Sequence, residues 1–310
     1  MASLSRLRKM SKLPFPLGRP NWPNELPHSP ANSKLGANFK TSWSRRHSAR
    51  LVRSLITDFV TRPAIKVLAC PEVTGLDRIA HITTPVIFAA NHASHLDTPL
   101  LLANLPERFR HKTAVGAGAD YFYDKAWKAY TWTFLLAAIP IERNKVSRRS
   151  NDLALSVLTD GWSLILFPEG GRTPDGFARE FKGGVAHLAT RTNTPVVPVY
   201  LGGTFEIYGK GAASFHRGPT VVNFGQPLSP ENKDARSFVK EIEAAVTQLA
   251  NEVHGNYWTA LQRANSKDAT VQETRQKDGW IAQWERPKVA DAKDGEKKSW
   301  PRLPIIDRTL

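Results

Sequence analysis

The sequence predicts an α/β domain: a central, mostly parallel sheet flanked by helices and preceded by an amphipathic helix. Three observations carry this. After Cys70, short apolar β-like runs alternate with helical stretches. Two of those runs end directly in polar, glycine- or histidine-bearing loops. One segment before Cys70 splits cleanly into an apolar and a polar half.

Pro85–Ala90, Ser163–Phe167 and Pro195–Leu201 read as buried strands, and Thr220–Phe224 as a later one. Between them, Ser150–Asp160 and Phe181–Arg191 read as helices. Ser229-Pro230 opens a further helix, with serine as N-cap and proline in the first turn. In it Val239, Ile242, Val246, Leu249 and Val253 form a stripe that covers one face of the sheet.

Upstream, Ser48–Thr61 has helical periodicity. Leu51, Val52, Leu55, Ile56, Phe59 and Val60 fill one half of the wheel, while Arg50, Arg53, Ser54, Thr57 and Asp58 fill the other. Arg62-Pro63 ends or kinks this helix. Its apolar half has two readings: burial in a membrane interface, or cover for the core, as in most soluble helices. The expected division is a basic, proline-rich, disordered arm over 1–45 and a folded domain over 46–254, with the membrane-proximal helix at 46–70. A polar tail follows over 255–310.

Charge narrows the partners. Met1–Cys70 holds 13 Lys or Arg against two acids, a net +11 of the chain's +15. Such an arm suits a nucleic acid or an anionic membrane equally well. The single cysteine, Cys70, excludes an internal disulfide and points to a reducing compartment. No apolar run follows the basic start, so no secretory signal is expected. The most apolar uncharged run, Ala129–Ile141, has 13 residues, short of the ~20 that span a bilayer.

Two loops carry chemistry. Asn91-His92-Ala93-Ser94-His95-Leu96-Asp97 sits between a buried strand and a helix-like run, where α/β folds bind ligands. A histidine takes a hydroxyl proton when a carboxylate fixes its tautomer, and Asp97 lies five residues from His92. Asp97 also suits the N-cap of the next helix. His95 adds no Cys/His/carboxylate cluster, so no metal is expected. The second loop, Phe167-Pro168-Glu169-Gly170-Gly171-Arg172-Thr173, follows another strand. Its glycines admit a ligand close to the backbone, and Arg172 can hold a phosphate with two bonds. Lys182 stands beside Gly183-Gly184 at a helix start, and Arg143 ends the apolar run Ile139-Pro140-Ile141-Glu142.

Together these blocks resemble the glycerolipid acyltransferases, the group that includes 1-acylglycerol-3-phosphate acyltransferases. The ordered set is Asn91-His92 with Asp97, Ile139–Arg143, Phe167–Arg172, and Val196-Val197-Pro198-Val199. The resemblance runs from Val73 to about Phe224. It departs at Gly171-Arg172-Thr173, where many relatives carry Thr-Arg-Ser. It implies acyl transfer from a thioester to the hydroxyl of a phosphate-bearing glycerolipid such as 1-acylglycerol-3-phosphate, in phospholipid synthesis. His92 is then the base and Asp97 its orienting partner. Arg143, Glu169, Gly170 and Arg172 line the acceptor site, and the helix-start cation Lys182, read from the residues alone, is expected to join them. No cofactor is implied beyond acyl-CoA or an acyl carrier protein as co-substrate. The expected partners are the lipid acceptor, that donor and an anionic membrane surface, not nucleic acid. The expected place is peripheral, on the cytoplasmic face of a membrane.

The alternatives are a catalytically inactive lipid-binding relative and a basic nucleic-acid-binding protein. The intact His92, Asp97, Glu169 and Arg172 oppose the first. The second lacks a recognition motif or zinc-finger spacing. A Gly-x-Ser-x-Gly elbow is absent, and Gly116–Tyr121 lacks the third glycine of a dinucleotide fingerprint.

Overall fold

The computed structural model describes residues 36–254, apart from 84, 144–147, 175, 177 and 213. The basic arm up to residue 35 and the tail from 255 lie outside the described residues. Residues 36–45 of the expected arm are among those described. Phe39 packs edge-on to Tyr130, and Trp43 stacks on Phe134, because aromatic side chains on this short segment find an aromatic helix to cover.

The leading helix α1 (His47–Ile56) passes through a π turn (Thr57–Thr61) into α2 (Arg62–Ala69). Pro63 therefore neither ends nor breaks the helical path. The Arg62 N–H reaches back to Thr57 O, and this wider turn absorbs the missing donor and the proline ring.

The core follows in alternation: β1 (Pro71–Thr74), β2 (Ile87–Ala90), α3 (Asp97–Asn104), α4 (Glu107–Arg110), β3 (Thr113–Gly118), α5 (Ala119–Phe122), α6 (Ala126–Leu136), β4 (Ile139–Ile141), α7 (Arg148–Thr159), β5 (Ser163–Leu166), α8 (Gly184–Thr192), β6 (Val196–Gly202), α9 (Thr204–Tyr208), β7 (Thr220–Phe224) and α10 (Ala235–His254). The seven strands order as β1-β7-β6-β2-β5-β3-β4. Only β6 and β7 pair antiparallel; every other neighbour is parallel. The expected mostly parallel sheet is thus the one observed.

Alternate residues of the strands feed two cores. Phe88, Ala90, Ile165, Val197 and Val199 face α2 and α3, whereas Ile87, Ala89, Leu164 and Val196 face α7, α8 and α10. Near-continuous burial along β2, β6 and β7 is what a sheet covered on both faces requires. Helix α10 starts at Ala235 and not at Ser229-Pro230. Asp234 Oδ1 accepts the N–H groups of Arg236 (2.7 Å) and Ser237 (3.2 Å) and is the effective cap. Ser229-Pro230 instead closes a tight turn, with Lys233 N–H bonded to Pro230 O. Phe238, Ile242, Val246 and Leu249 bury the expected stripe, and Val239 and Val253 lie at its edge.

Helix α1 is oriented the opposite way from a core-covering helix. Leu55 is 54% exposed and Phe59 75%, while Arg53 is only 7% exposed. The buried Arg53 guanidinium donates to Ser44 O at 2.9 Å and Phe134 O at 3.2 Å and sits over the Trp162 ring. Burial, together with the charges of Arg50 and Arg45, lowers its pKa to about 10. At the π turn, Asp58 lies 3.0 Å from Arg110 Nε and 3.1 Å from His111 Nε2. The helix is thus fixed to the domain through its polar side, with its apolar side turned outward.

Candidate active site

The site stands on the C-terminal ends of four neighbouring parallel strands. Strands β2 and β5 run in register, Ala89 beside Leu166, so the loop after each begins at the same level. Strand β2 feeds the Asn91–Leu96 turn and β5 feeds Phe167–Thr173, while β3 ends at Gly118 and β4 leads to Arg143. This is the crevice in which open α/β sheets place ligands.

Asp97 organises the first loop. Its Oδ2 accepts from His92 Nδ1 at 2.8 Å, from Ala93 N at 2.7 Å and from Ser94 N at 2.8 Å. Although it is the first residue of α3, its carboxylate caps the preceding turn and not the helix. The side chain is fully buried, so three charge-assisted bonds replace its lost hydration. With Nδ1–H given to Asp97, the imidazole keeps its lone pair on Nε2, which meets no partner among the described residues. The ring stacks on Phe167 with centroids 4.1 Å apart. Asn91 fixes the turn from the other side, bonding Leu201 O and Leu201 N at 2.8 Å each.

Glu169 joins the two loops. Its Oε1 accepts the His92 backbone N–H at 2.8 Å, and Thr173 N–H returns a bond to His92 O at 3.0 Å. At 3% exposure, burial pushes its pKa up to about 8, helped by the charge of Asp97 and opposed by the His92 N–H and Arg179. Near neutrality it is mainly a neutral acid. Gly170 follows at φ +74°, a backbone conformation that favours glycine, and a Cβ there would lie 2.7 Å from Lys182 Nζ.

The cations divide into two groups. Arg143 is held by Asp120, with Nε to Oδ1 at 3.0 Å and NH2 to Oδ2 at 2.6 Å. Gly118 makes room for it, since a Cβ there would lie 2.5 Å from Arg143 Nε. Lys182 Nζ donates to Arg143 O at 3.3 Å, and Gly171 borders the guanidinium. Arg172 pairs with no carboxylate among the described residues. Its charge reaches His95, whose pKa falls to about 4 chiefly through burial, then through Arg172 and His92. His95 is therefore neutral at physiological pH and lies among Tyr121, Phe122 and Tyr208. No group of three metal-binding side chains occurs among the described residues.

All seven residues singled out in the sequence, His92, Asp97, Arg143, Glu169, Gly170, Arg172 and Lys182, lie on the loops above this sheet edge or at the helix start beside it. Three partners were not foreseen. Asp120 holds Arg143 from 23 residues away, Phe167 carries the His92 ring, and Asn91 ties the histidine turn to β6. A strand-end acid followed by aromatics, Asp120-Tyr121-Phe122, was the only local sign of the first.

Known proteins resemble this chain over the stretch that carries these loops. The family model described as Acyltransferase matches residues 70–202. A 1-acyl-sn-glycerol-3-phosphate acyltransferase of Limnanthes alba is 30% identical over 164 residues, 52% of this chain and 55% of that protein. The chloroplastic enzyme LPAT1 of Arabidopsis thaliana is 28% identical, over 55% of this chain and 48% of its own. The chain spans about half the length of the curated relatives it matches. The crystal structure of the 1-acyl-sn-glycerophosphate (LPA) acyltransferase PlsC from Thermotoga maritima shares the fold, with a TM-score of 0.52 and 24% identity over 69% of this chain and 84% of that one. Over residues 70–202 the chain is thus similar to the acyltransferase family, and the 1-acyl-sn-glycerol-3-phosphate acyltransferases are among the proteins it resembles there.

Proposed function

We propose that the chain moves a fatty acyl group from a thioester, acyl-CoA or acyl carrier protein, to the hydroxyl of a phosphate-bearing glycerolipid such as 1-acylglycerol-3-phosphate. The observation that carries this reading is the 2.8 Å bond from His92 Nδ1 to the buried Asp97 carboxylate, which leaves Nε2 as a base. His92 Nε2 takes the acceptor's hydroxyl proton as its oxygen attacks the thioester carbonyl. The tetrahedral oxyanion collapses, the C–S bond breaks, and the thiolate recovers the proton from the imidazolium. The donor is already activated, so no enzyme nucleophile is needed. The Gly171 backbone N–H, without an acceptor among the described residues, is available to the oxyanion. Arg172, Arg143 and Lys182 supply the acceptor's phosphate with cations around the Glu169-Gly170 turn.

The same reading assigns residues 46–254 to the catalytic domain and places the protein peripherally, on the cytoplasmic face of an anionic membrane. Support comes from the outward apolar side of α1, the +11 charge before residue 71, and a lipid acceptor. No helix among the described residues is long and apolar enough to cross a membrane. The test is transfer from labelled acyl-CoA or acyl carrier protein to a panel of lysolipids with and without a phosphate monoester. Turnover confined to the monoester-bearing acceptors supports the proposal; equal turnover on lysolipids lacking it contradicts the role given to the arginines.

A further inference from the structure

Outside the catalytic crevice, α1 and the chain around α4 enclose an open cavity of about 630 Å³, within the usual size range for small-ligand sites. Arg50 and His47 line it from α1, and Arg108, His111 and Lys112 from the facing wall. Its one acid is Glu107. No carboxylate among the described residues forms an ion pair with Arg50, Arg108 or Lys112. Arg108 donates to Ile79 O and His111 faces Asp58, which leaves Arg50 and Lys112 as the cations without a carboxylate or carbonyl partner among the described residues. Arg50 donates to His47 Nδ1 at 3.3 Å, a bond that brings no counter-charge. Arg50 and Lys112 thus line the cavity with no carboxylate paired to either among the described residues.

The position of the cavity says which anion. At 100° per residue, His47, Arg50 and Ser54 share one sector of α1, and Leu51 stands between that sector and the outward apolar one of Val52, Leu55 and Phe59. Leu51 both lines the cavity and is 49% exposed. A ligand that fits has an anionic head for Arg50 and Lys112 and acyl tails that continue along the exposed leucines. We propose that this cavity binds the phosphate headgroup of an anionic membrane lipid, separately from the acceptor bound at His92. The headgroup anchors the protein and sets how its surface lies on the bilayer. This rests on the peripheral-membrane reading above and adds a defined lipid site to it.

The test uses the full chain and phosphatidylglycerol, a phosphodiester chosen to avoid the monoester site. Arg50→Ala/Lys112→Ala is compared with Arg191→Ala/Lys240→Ala, which removes the same charge from exposed positions on α8 and α10. With phosphatidylcholine vesicles containing phosphatidylglycerol, the cavity variant binds roughly tenfold or more weakly than wild type, and the control loses much less. In solution, monomeric dihexanoyl phosphatidylglycerol shifts the His47 and His111 imidazole resonances, inorganic phosphate shifts them far less, and the cavity variant shows neither response. Equal vesicle losses for the two variants would reduce the effect to diffuse charge and overturn the site. Equal responses to inorganic phosphate and the short-chain lipid would make it an anion site without a lipid occupant, and overturn it likewise. If wild type pellets with no vesicle, the membrane reading fails by itself. The soluble-lipid shifts then still decide the cavity, and their absence overturns it.

Discussion

The Glu169 carboxyl accepts the backbone N–H of His92 at 2.8 Å, so the loop after β5 carries the loop after β2. The other oxygen, Oε2, is buried without a hydrogen-bond partner among the described residues. Local sequence shows neither fact, and together they make Glu169 a structural joint as well as a member of the glycine loop.

The first prediction follows from its ionisation. An unfolded glutamate ionises near 4.5, whereas the folded one holds its proton up to about 8. A raised pKa stabilises the fold fully below the unfolded value and loses that contribution as pH rises through the folded one. Stability should therefore fall between about pH 4.5 and 8, by up to ~1.4 kcal/mol per pH unit from this group. Glu169→Gln keeps the acceptor oxygen and should flatten that part of the profile. Urea unfolding of both proteins across the range decides it; parallel slopes would show that Glu169 does not titrate there.

A second prediction concerns Asp97. Asparagine in its place retains the shape but loses the charge that three donors share, at a cost of about 1.5–3 kcal/mol in stability. It also removes the anion that fixes Nδ1–H, so turnover should fall further than stability alone explains. Denaturant titration alongside kcat separates the two losses.

The third prediction concerns Arg143, which is tied to Asp120 at 2.6 Å. A phosphate must compete with that carboxylate. Asp120→Asn should lower KM for the phosphate acceptor by several-fold at most, because a part-exposed pair is worth ~1 kcal/mol or less. Arg143→Ala should raise that KM by the equivalent of about 1.5–3 kcal/mol, with lysine rescuing only part. Unchanged KM in both variants would assign the arginine a structural role.

The outward face of α1 gives a fourth. Leu55→Ser/Phe59→Ser removes side chains that are more than half exposed, so each change should cost within about 0.5 kcal/mol. Thermal unfolding should barely move, while sedimentation with anionic vesicles should drop. A large loss of stability would mean that these residues cover a core after all.

Much of this was legible because strands buried on both faces read as unbroken apolar runs. Ile87–Ala90, Ser163–Leu166 and Val196–Gly202 announced themselves in that way. Strands β1, β3 and β4 did not: β1 and β4 are short and lie at the sheet edges, and β3 carries glycines at Gly116 and Gly118 where an apolar run would have marked it. The helix start at Ala235 was misplaced because Ser229-Pro230 has the chemistry of a cap, and only the fold shows that Asp234 takes the role. The His92–Asp97 pair was legible because both partners lie in one turn. The pairings of Arg143 with Asp120 and Glu169 with His92 N–H were not, since the sheet and not local spacing brings them together. The amphipathic pattern of α1 was visible, but which half faced the domain was decided by Arg53 finding two carbonyls and Trp162.

The central claim is that His92 is the base for acyl transfer. The most direct measurement is single-turnover transfer from a thioester to 1-acylglycerol-3-phosphate by His92→Ala, with thermal unfolding run in parallel. The expected result is a folded protein whose rate is lower by ~10² or more. A folded His92→Ala protein with near-wild-type turnover would contradict it.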